Sequence, residues 1–296
     1  MEQALRNRLT YGPLMLAGLL GLLALDHYAQ VWTIQRGLNH GLGIGGIGLA
    51  GILAIVIPLA TVEITALFAA EQVRPYRILS AAGSFALILH ALLTQFAWFR
   101  PIAASTLASV IVGVMLLSAL RRALDRQSQQ AIQRMAGTLL ATLYLGGLAW
   151  FLLALRVKHS PGFTGSTMIV LMILLVVKFA DIGAYFGGRA LGRHPLIPWL
   201  SPGKTWEGLL CGLVVAGLVG AACAPRVSEL SWQKALVFGV VIGAIGQLGD
   251  LLESLMKRDA EVKDASRLIP GFGGVLDVID SPLLAAPFAY AIFSLF

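Results

Sequence analysis

Charge is scarce in this sequence. Only 12% of its 296 residues are Asp, Glu, Lys or Arg, about half the roughly 25% of a water-exposed domain. With a mean hydropathy of +0.81, an ordinary soluble surface is excluded, and the hydrocarbon core of a bilayer becomes the main solvent. Cysteine is nearly absent as well. Cys211 and Cys223 lie in one apolar segment without metal-ligand spacing, which excludes a disulfide framework and leaves two small buried apolar groups. Acidic residues number 15 against 22 basic ones. In a soluble protein the resulting +7 would raise the question of nucleic acid. Here the basic residues sit between apolar runs, so headgroups and topology account for them and no nucleic acid partner is expected. The first apolar run follows Arg6 and Arg8 but offers no convincing small-x-small cleavage site, so it is taken as a retained span.

What is abundant is long apolar sequence. Runs fall near residues 11–30, 44–70, 79–98, 102–120, 135–155, 166–187, 206–224, 233–252 and 277–296. Each approaches the roughly 20 residues that a helix needs to cross a bilayer, and a helix satisfies its own backbone hydrogen bonds there. The expected fold is an all-α polytopic membrane protein of about nine transmembrane helices. Orientation follows from the loop cations. Six of them (Arg36, Arg100, Arg156, Lys158, Arg226 and Lys234) fall on one side, Lys178 lies within a span, and the remaining 15 of 22 share the other side. That side is the expected cytoplasmic face, with the N-terminus on it.

The two halves differ. Residues 1–160 are nearly featureless, rich in Leu, Ala and Gly, and are expected to form a scaffold or lipid-facing bundle. Polar and ionisable residues enter the spans further on, so residues 161–296 form the expected catalytic membrane domain. GxxxG spacings at Gly183/Gly187 and Gly208/Gly212 permit close helix packing, within one chain or in a homodimer.

Three clusters carry chemistry. Lys178, Asp181 and Tyr185 in the sixth run precede Gly187, Gly188 and Arg189. Lys178 and Asp181 share a helix face, and ionisable groups inside a span usually face a polar cavity. In the loop Leu196 to Gly208, Gly203-Lys204-Thr205 ends like a P-loop, but Pro198 stands where that motif needs its first Gly. Ser201 or Thr205 can cap the next helix, Pro202 suits a first helical position, and a helix N-terminus beside Lys204 suits an anion.

The third cluster is the richest. Asp250, Ser254 and Lys257 are spaced i, i+4, i+7 and fall on one stripe if the eighth span continues helically. Asp277, Asp280 and Ser281 share a face at the start of the last span. Two acidic stripes meeting at one depth would suit a hard cation, with Asp250, Asp277 and Asp280 as ligands. Mg²⁺ typically takes one or two carboxylates plus substrate phosphates. Lys257, Arg258, Lys263 and Arg267 supply positive charge for phosphates, and Gly273-Gly274 lets backbone approach a ligand closely.

In this region the sequence resembles the phosphatidate cytidylyltransferase (CDP-diglyceride synthetase) family. That family's signature runs S-x-x-K-R-x4-K-D, a short spacer, then H-G-G-x-x-D-R-x-D. Ser254, Lys257, Arg258, Lys263, Asp264, Gly273, Gly274, Asp277 and Asp280 stand at matching positions and spacing. Ser201, Pro202, Lys204, Thr205, Glu207 and Gly208 resemble the family's S-P-K-K-T-x-E-G loop. Asp181, Ala184, Tyr185, Gly188 and Arg189 resemble its D-x-x-A-Y-x-x-G-R stretch. The resemblance covers roughly residues 170–290. Its departures mark a divergent member: Phe272 replaces the signature His, Val278 its Arg, and Gly203 a frequent Lys.

The resemblance implies conversion of phosphatidate and CTP to CDP-diacylglycerol and pyrophosphate with Mg²⁺, and room for a second cation. Asp250 and Asp277 would bind metal and Asp280 would support the metal shell. Ser254 and Lys257 would contact phosphate, while Asp181, Arg189, Ser201, Lys204, Thr205, Arg258, Lys263, Gly273 and Gly274 would line the substrate site. A CTP-dependent polyprenol kinase or an archaeol-type cytidylyltransferase is the nearest alternative. A transporter is the alternative of another class, but it should place its ionisable groups near the midplane and show related halves.

Overall fold

The computed structural model describes residues 2–126, 128–160, 163–164, 166–227, 230–266, 268–271 and 273–295. Arg267 and Phe272, singled out above, lie outside the described residues. The chain runs α1 (Glu2–Gln35), α2 (Ile47–Ala70), α3 (Arg77–Leu93) and α4 (Ala103–Leu124). Next come α5 (Ala131–Thr142) and α6 (Leu148–Val157), joined by a π-helical turn, Leu143–Gly147, into one continuous rod. Then follow α7 (Thr167–Leu191), α8 (Trp206–Cys223), α9 (Trp232–Asp259) and α10 (Leu276–Ser294). Among the described residues eight helices are long and apolar enough to cross a membrane, the α5–α6 rod counting once. The third apolar run makes a shorter helix, α3, of 17 residues, because the chain turns at Thr94. The protein is therefore a polytopic helical membrane protein.

Among the described residues two small antiparallel strand pairs interrupt the helices: β1 (His159–Ser160) with β2 (Phe163–Thr164), and the hairpin of β3 (Pro195–Ile197) with β4 (Ser201–Thr205). The second corrects one sequence expectation. Pro202 lies in β4 rather than in the first turn of a helix, and α8 starts four residues later at Trp206. Thr205 provides the N-cap, its Oγ1 accepting from the Gly208 N–H at 3.1 Å.

A single apolar core runs through both halves, including Ile57 of α2, Leu153 of α6, Ile173 of α7, Ile242 of α9 and Leu283 of α10. In lipid, helices associate by close packing and interhelical hydrogen bonds rather than by a hydrophobic drive. Small residues accordingly mark the tightest seams. On the N-terminal side, Ser80 Oγ of α3 donates to the Thr138 carbonyl of α5 at 3.2 Å. On the C-terminal side α7, α8, α9 and α10 pack in sequence order. Both GxxxG spacings are spent in the α7–α8 seam of one chain: Gly183 lies against Gly212 and Val215, and Gly208 lies against Ala184 and Gly188. A Cβ on Gly212 would stand 2.7 Å from the Ala180 carbonyl oxygen and 3.0 Å from the Ala184 Cβ. Gly212→Leu is therefore expected to cost about 1–3 kcal/mol by overpacking. Gly51→Leu is the control, since nothing lies within 4 Å of the Cβ it adds. Melting temperatures of the two variants in detergent check this, and equal values would refute it.

Candidate active site

Continuity of α9 decides how the third cluster is presented. The helix runs unbroken through Gly249 to Asp259, so Asp250, Glu253, Ser254 and Lys257 follow one another along neighbouring faces. Helix α10 opens at Leu276, which puts Asp277 and Asp280 one turn apart beside it. Carboxylate oxygens of Asp250, Glu253 and Asp280 come within 4.8 Å of one another. Glu253 is 1% and Asp280 2% exposed. The Glu253 Oε1 atom is buried without a hydrogen-bond partner.

Asp277 stands outside that trio. Its Oδ1 accepts from Lys257 Nζ at 2.7 Å, and its Oδ2 accepts from the Gly274 N–H at 2.6 Å and the Ala265 N–H at 3.2 Å. Lys257 also donates to Glu253 Oε2 at 2.6 Å, so it ties α9 to α10. Gly273, at φ +100°, turns the chain into this arrangement, and a Cβ there would meet Asp277 Oδ2 at 2.5 Å. Gly273 and Gly274 thus serve Asp277 directly.

The other two clusters meet Asp250, the one member of the trio that they reach, around a cavity of about 320 Å³, whose lining includes Asp181, Tyr185, Lys204, Thr205, Gln247 and Asp250. Lys204, carried by β4, reaches Asp250 Oδ2 at 2.8 Å. Lys178 stands 3.8 Å from Asp181, which also accepts from Gln247 Nε2 at 2.7 Å. The hairpin is held in place by Glu207, whose Oε2 accepts from the N–H groups of Arg193 and His194 at 3.1 and 3.2 Å. Arg258 Nε donates to the Leu200 carbonyl at 3.4 Å and fastens the hairpin to the end of α9.

The remaining sequence candidates are placed less centrally. Ser254 Oγ lies 3.5 Å from Asp250 Oδ1, a long contact within one helix. Ser201 pairs with Ile197 across the hairpin. Arg189 and Lys263 are exposed near its edge of the bundle, on the last turn of α7 and on the loop after α9. Three residues were missed by the sequence reading: Glu253, Gln247 and, most distant in sequence, Glu63. The signal for Glu63 was present, since it is the one acid inside the apolar run 44–70. An ionisable group in a span is a candidate functional residue by default.

Asp181, Asp250, Glu253, Asp277 and Asp280 together face three ammonium groups, Lys178, Lys204 and Lys257. A negative surplus of hard oxygen donors at this depth suits a divalent cation, and the unpartnered Glu253 oxygen is a ready ligand atom.

A polytopic helical bundle that gathers carboxylates and lysines at one cleft fits a multi-pass membrane nucleotidyltransferase. The sequence profile of the Cytidylyltransferase family matches residues 31–296, and the chain belongs to that family. It is 31% identical to the phosphatidate cytidylyltransferase of Bacillus subtilis over 84% of this chain and 91% of that one. Identity to phosphatidate cytidylyltransferase 5, chloroplastic, of Arabidopsis thaliana is 33%, over 87% and 70%. The uncharacterized protein YnbB of Escherichia coli is 36% identical, but over 51% of this chain and only 49% of its own length.

Proposed function

We propose that this protein is a phosphatidate cytidylyltransferase that joins CTP and phosphatidate, with Mg²⁺, at the cytoplasmic face of the membrane. The observation that carries this reading is the convergence of half-buried Asp250 with buried Glu253 and Asp280, with Lys204 on Asp250 at the wall of one cavity, in a chain of the cytidylyltransferase family. The cytoplasmic placement rests on the excess of Lys and Arg in the loops at this end.

In the reaction a phosphate oxygen of the lipid attacks the α-phosphorus of CTP. The bond from that phosphorus to the α–β bridging oxygen breaks, and pyrophosphate leaves with the electron pair. The attacking group is already an anion, so the protein needs no strong base. Positioning and charge neutralisation carry most of the work in such transfers. Lys204 is directed by Asp250 and has three ammonium donors, enough to hold a phosphate oxygen as well. Lys257 is locked between Glu253 and Asp277, so it keeps α9 and α10 in register. Asp250, Glu253 and Asp280 would hold Mg²⁺, which neutralises phosphate charge when bound. The apolar helices around the cavity let the acyl chains stay in the bilayer while the headgroup enters.

The test uses purified full-length protein, short-chain phosphatidate and labelled CTP with Mg²⁺. The expected result is one pyrophosphate released for each CMP transferred to lipid. Release of CDP would identify a lipid kinase instead, and no turnover with phosphatidate would overturn the reading.

A further inference from the structure

Among the described residues the N-terminal half contributes a charged group to the candidate active site. Glu63 lies in the last third of α2, is 4% exposed, and sits more than 200 residues from its partners in sequence. Its Oε1 accepts from the Val275 N–H at 3.0 Å and from Ser266 Oγ at 2.5 Å, and its Oε2 accepts from the Leu276 N–H at 2.7 Å. These amides belong to the opening of α10, where the first N–H groups have no partner inside the helix and the backbone dipole presents positive potential. The fit extends to Gly274, where a Cβ would stand 2.6 Å from Glu63 Oε2. Among the described residues no cationic side chain pairs with Glu63, so the helix end itself compensates the buried charge. The next amide back, that of Gly274, goes to Asp277.

We propose that Glu63 is a positioning residue for nucleotidyl transfer: it pins the first turn of α10 to α2, and thereby sets Asp277 on Lys257 and Asp280 beside Asp250 and Glu253. The proposal rests on the cytidylyltransferase reading for its kinetic part, and on geometry alone for the anchoring. A glutamate that merely filled space would be replaceable by glutamine, which has nearly the same shape. Gln would keep one acceptor, remove the charge, and turn an NH₂ donor toward one of the two helix amides. The Asp277–Lys257 contact, one residue beyond Leu276, would then lose its fixed distance.

The experiment compares the full-length protein with Glu63→Gln and Glu63→Asp in detergent. Hydrogen exchange of residues 264–280, followed by mass spectrometry, reads the anchoring without reference to activity. Glu63→Gln is expected to speed exchange in that segment and to leave α7 and α8 unchanged. It is also expected to lower kcat by about 10–100-fold, as loss of a supporting residue typically does, with KM for phosphatidate within threefold and the melting temperature little changed. Glu63→Asp keeps the charge at shorter reach and should fall between wild type and Glu63→Gln. If Glu63→Gln does not fold, Ser266→Ala removes one of the three bonds and should lower kcat about two- to tenfold.

Unchanged exchange at 264–280, wild-type kcat in the folded variants, or a loss that merely tracks the folded fraction would each overturn the proposal. A wild-type protein that turns over no phosphatidate, yet shows the exchange effect in Glu63→Gln, would overturn the proposed reaction and leave the anchoring established.

Discussion

Asp280→Asn is expected to lower pyrophosphate release by at least about 10²–10³-fold while the protein still inserts, purifies as a single species and melts near the wild-type temperature. The substitution keeps shape, removes one negative charge and turns one acceptor oxygen into an NH₂ donor at a site 2% exposed. A group that stabilises the charge of a transferring phosphate directly, or by holding a cation, contributes roughly 10²–10³ in rate when it is preorganised away from water. Asp250→Asn should be at least as damaging, because it also takes away the ionic partner of Lys204 at 2.8 Å. The two variants should separate in a second measurement. Manganese binding, followed by electron paramagnetic resonance, should weaken in both. The Lys204 side chain should lose its fixed position only in Asp250→Asn. Normal turnover in both variants would remove the metal role from this trio.

The sequence made the outline of this site legible because spacing along a helix converts into geometry without further information. Asp250 to Lys257 could be placed on a stripe once α9 was continuous, and Asp277 to Asp280 on a second one. Family signatures in two separated blocks then pointed to the same end of the bundle. What spacing cannot give is rotation about the helix axis. Glu253 stands three residues from Asp250 and was passed over, yet it joins Asp250 and Asp280, whereas Asp277 turns toward Lys257 and the Gly274 amide. The hairpin of β3 and β4 was missed for a different reason. Its strands are too short for periodicity to register, and Pro202 suits a helix start as well as an edge position. The apolar runs themselves were clear, since length and composition set a bilayer span almost alone. The division at residue 160 hid the reach of Glu63 across to α10, because contacts between helices far apart in sequence leave no local pattern.

The largest stability effect is expected far from the chemistry, at Asp26 of α1 and Arg156 of α6. Both side chains are 0% exposed, and Arg156 Nε meets Asp26 Oδ2 at 2.7 Å. Asp26 Oδ1 also accepts from the Gly48 N–H at 2.9 Å, so the pair fastens α1, α2 and α6 together. The sequence reading placed Arg156 with the cations of the far-side loops; the structure buries it, with both Nη atoms lacking hydrogen-bond partners, under Gly45. Removing one member of a buried ion pair leaves the other charge uncompensated and costs about 3–5 kcal/mol. That is a large part of the roughly 5–15 kcal/mol that holds a typical domain. Asp26→Ala and Arg156→Ala should therefore each lose most of the folded protein, seen as a fall in melting temperature and in monodisperse yield. The double variant Asp26→Leu/Arg156→Met makes the sign of the effect decisive. Replacing both charges by apolar groups removes two desolvation costs together with the ion pair and the Gly48 N–H bond, and such exchanges are often neutral or stabilising by about 1–4 kcal/mol. The expected order is thus both single variants well below wild type and the double variant near it or above. Single variants as stable as wild type would show that the pair contributes nothing. A double variant as poor as the singles would show that its geometry, rather than its charge balance, is what α1 and α6 require.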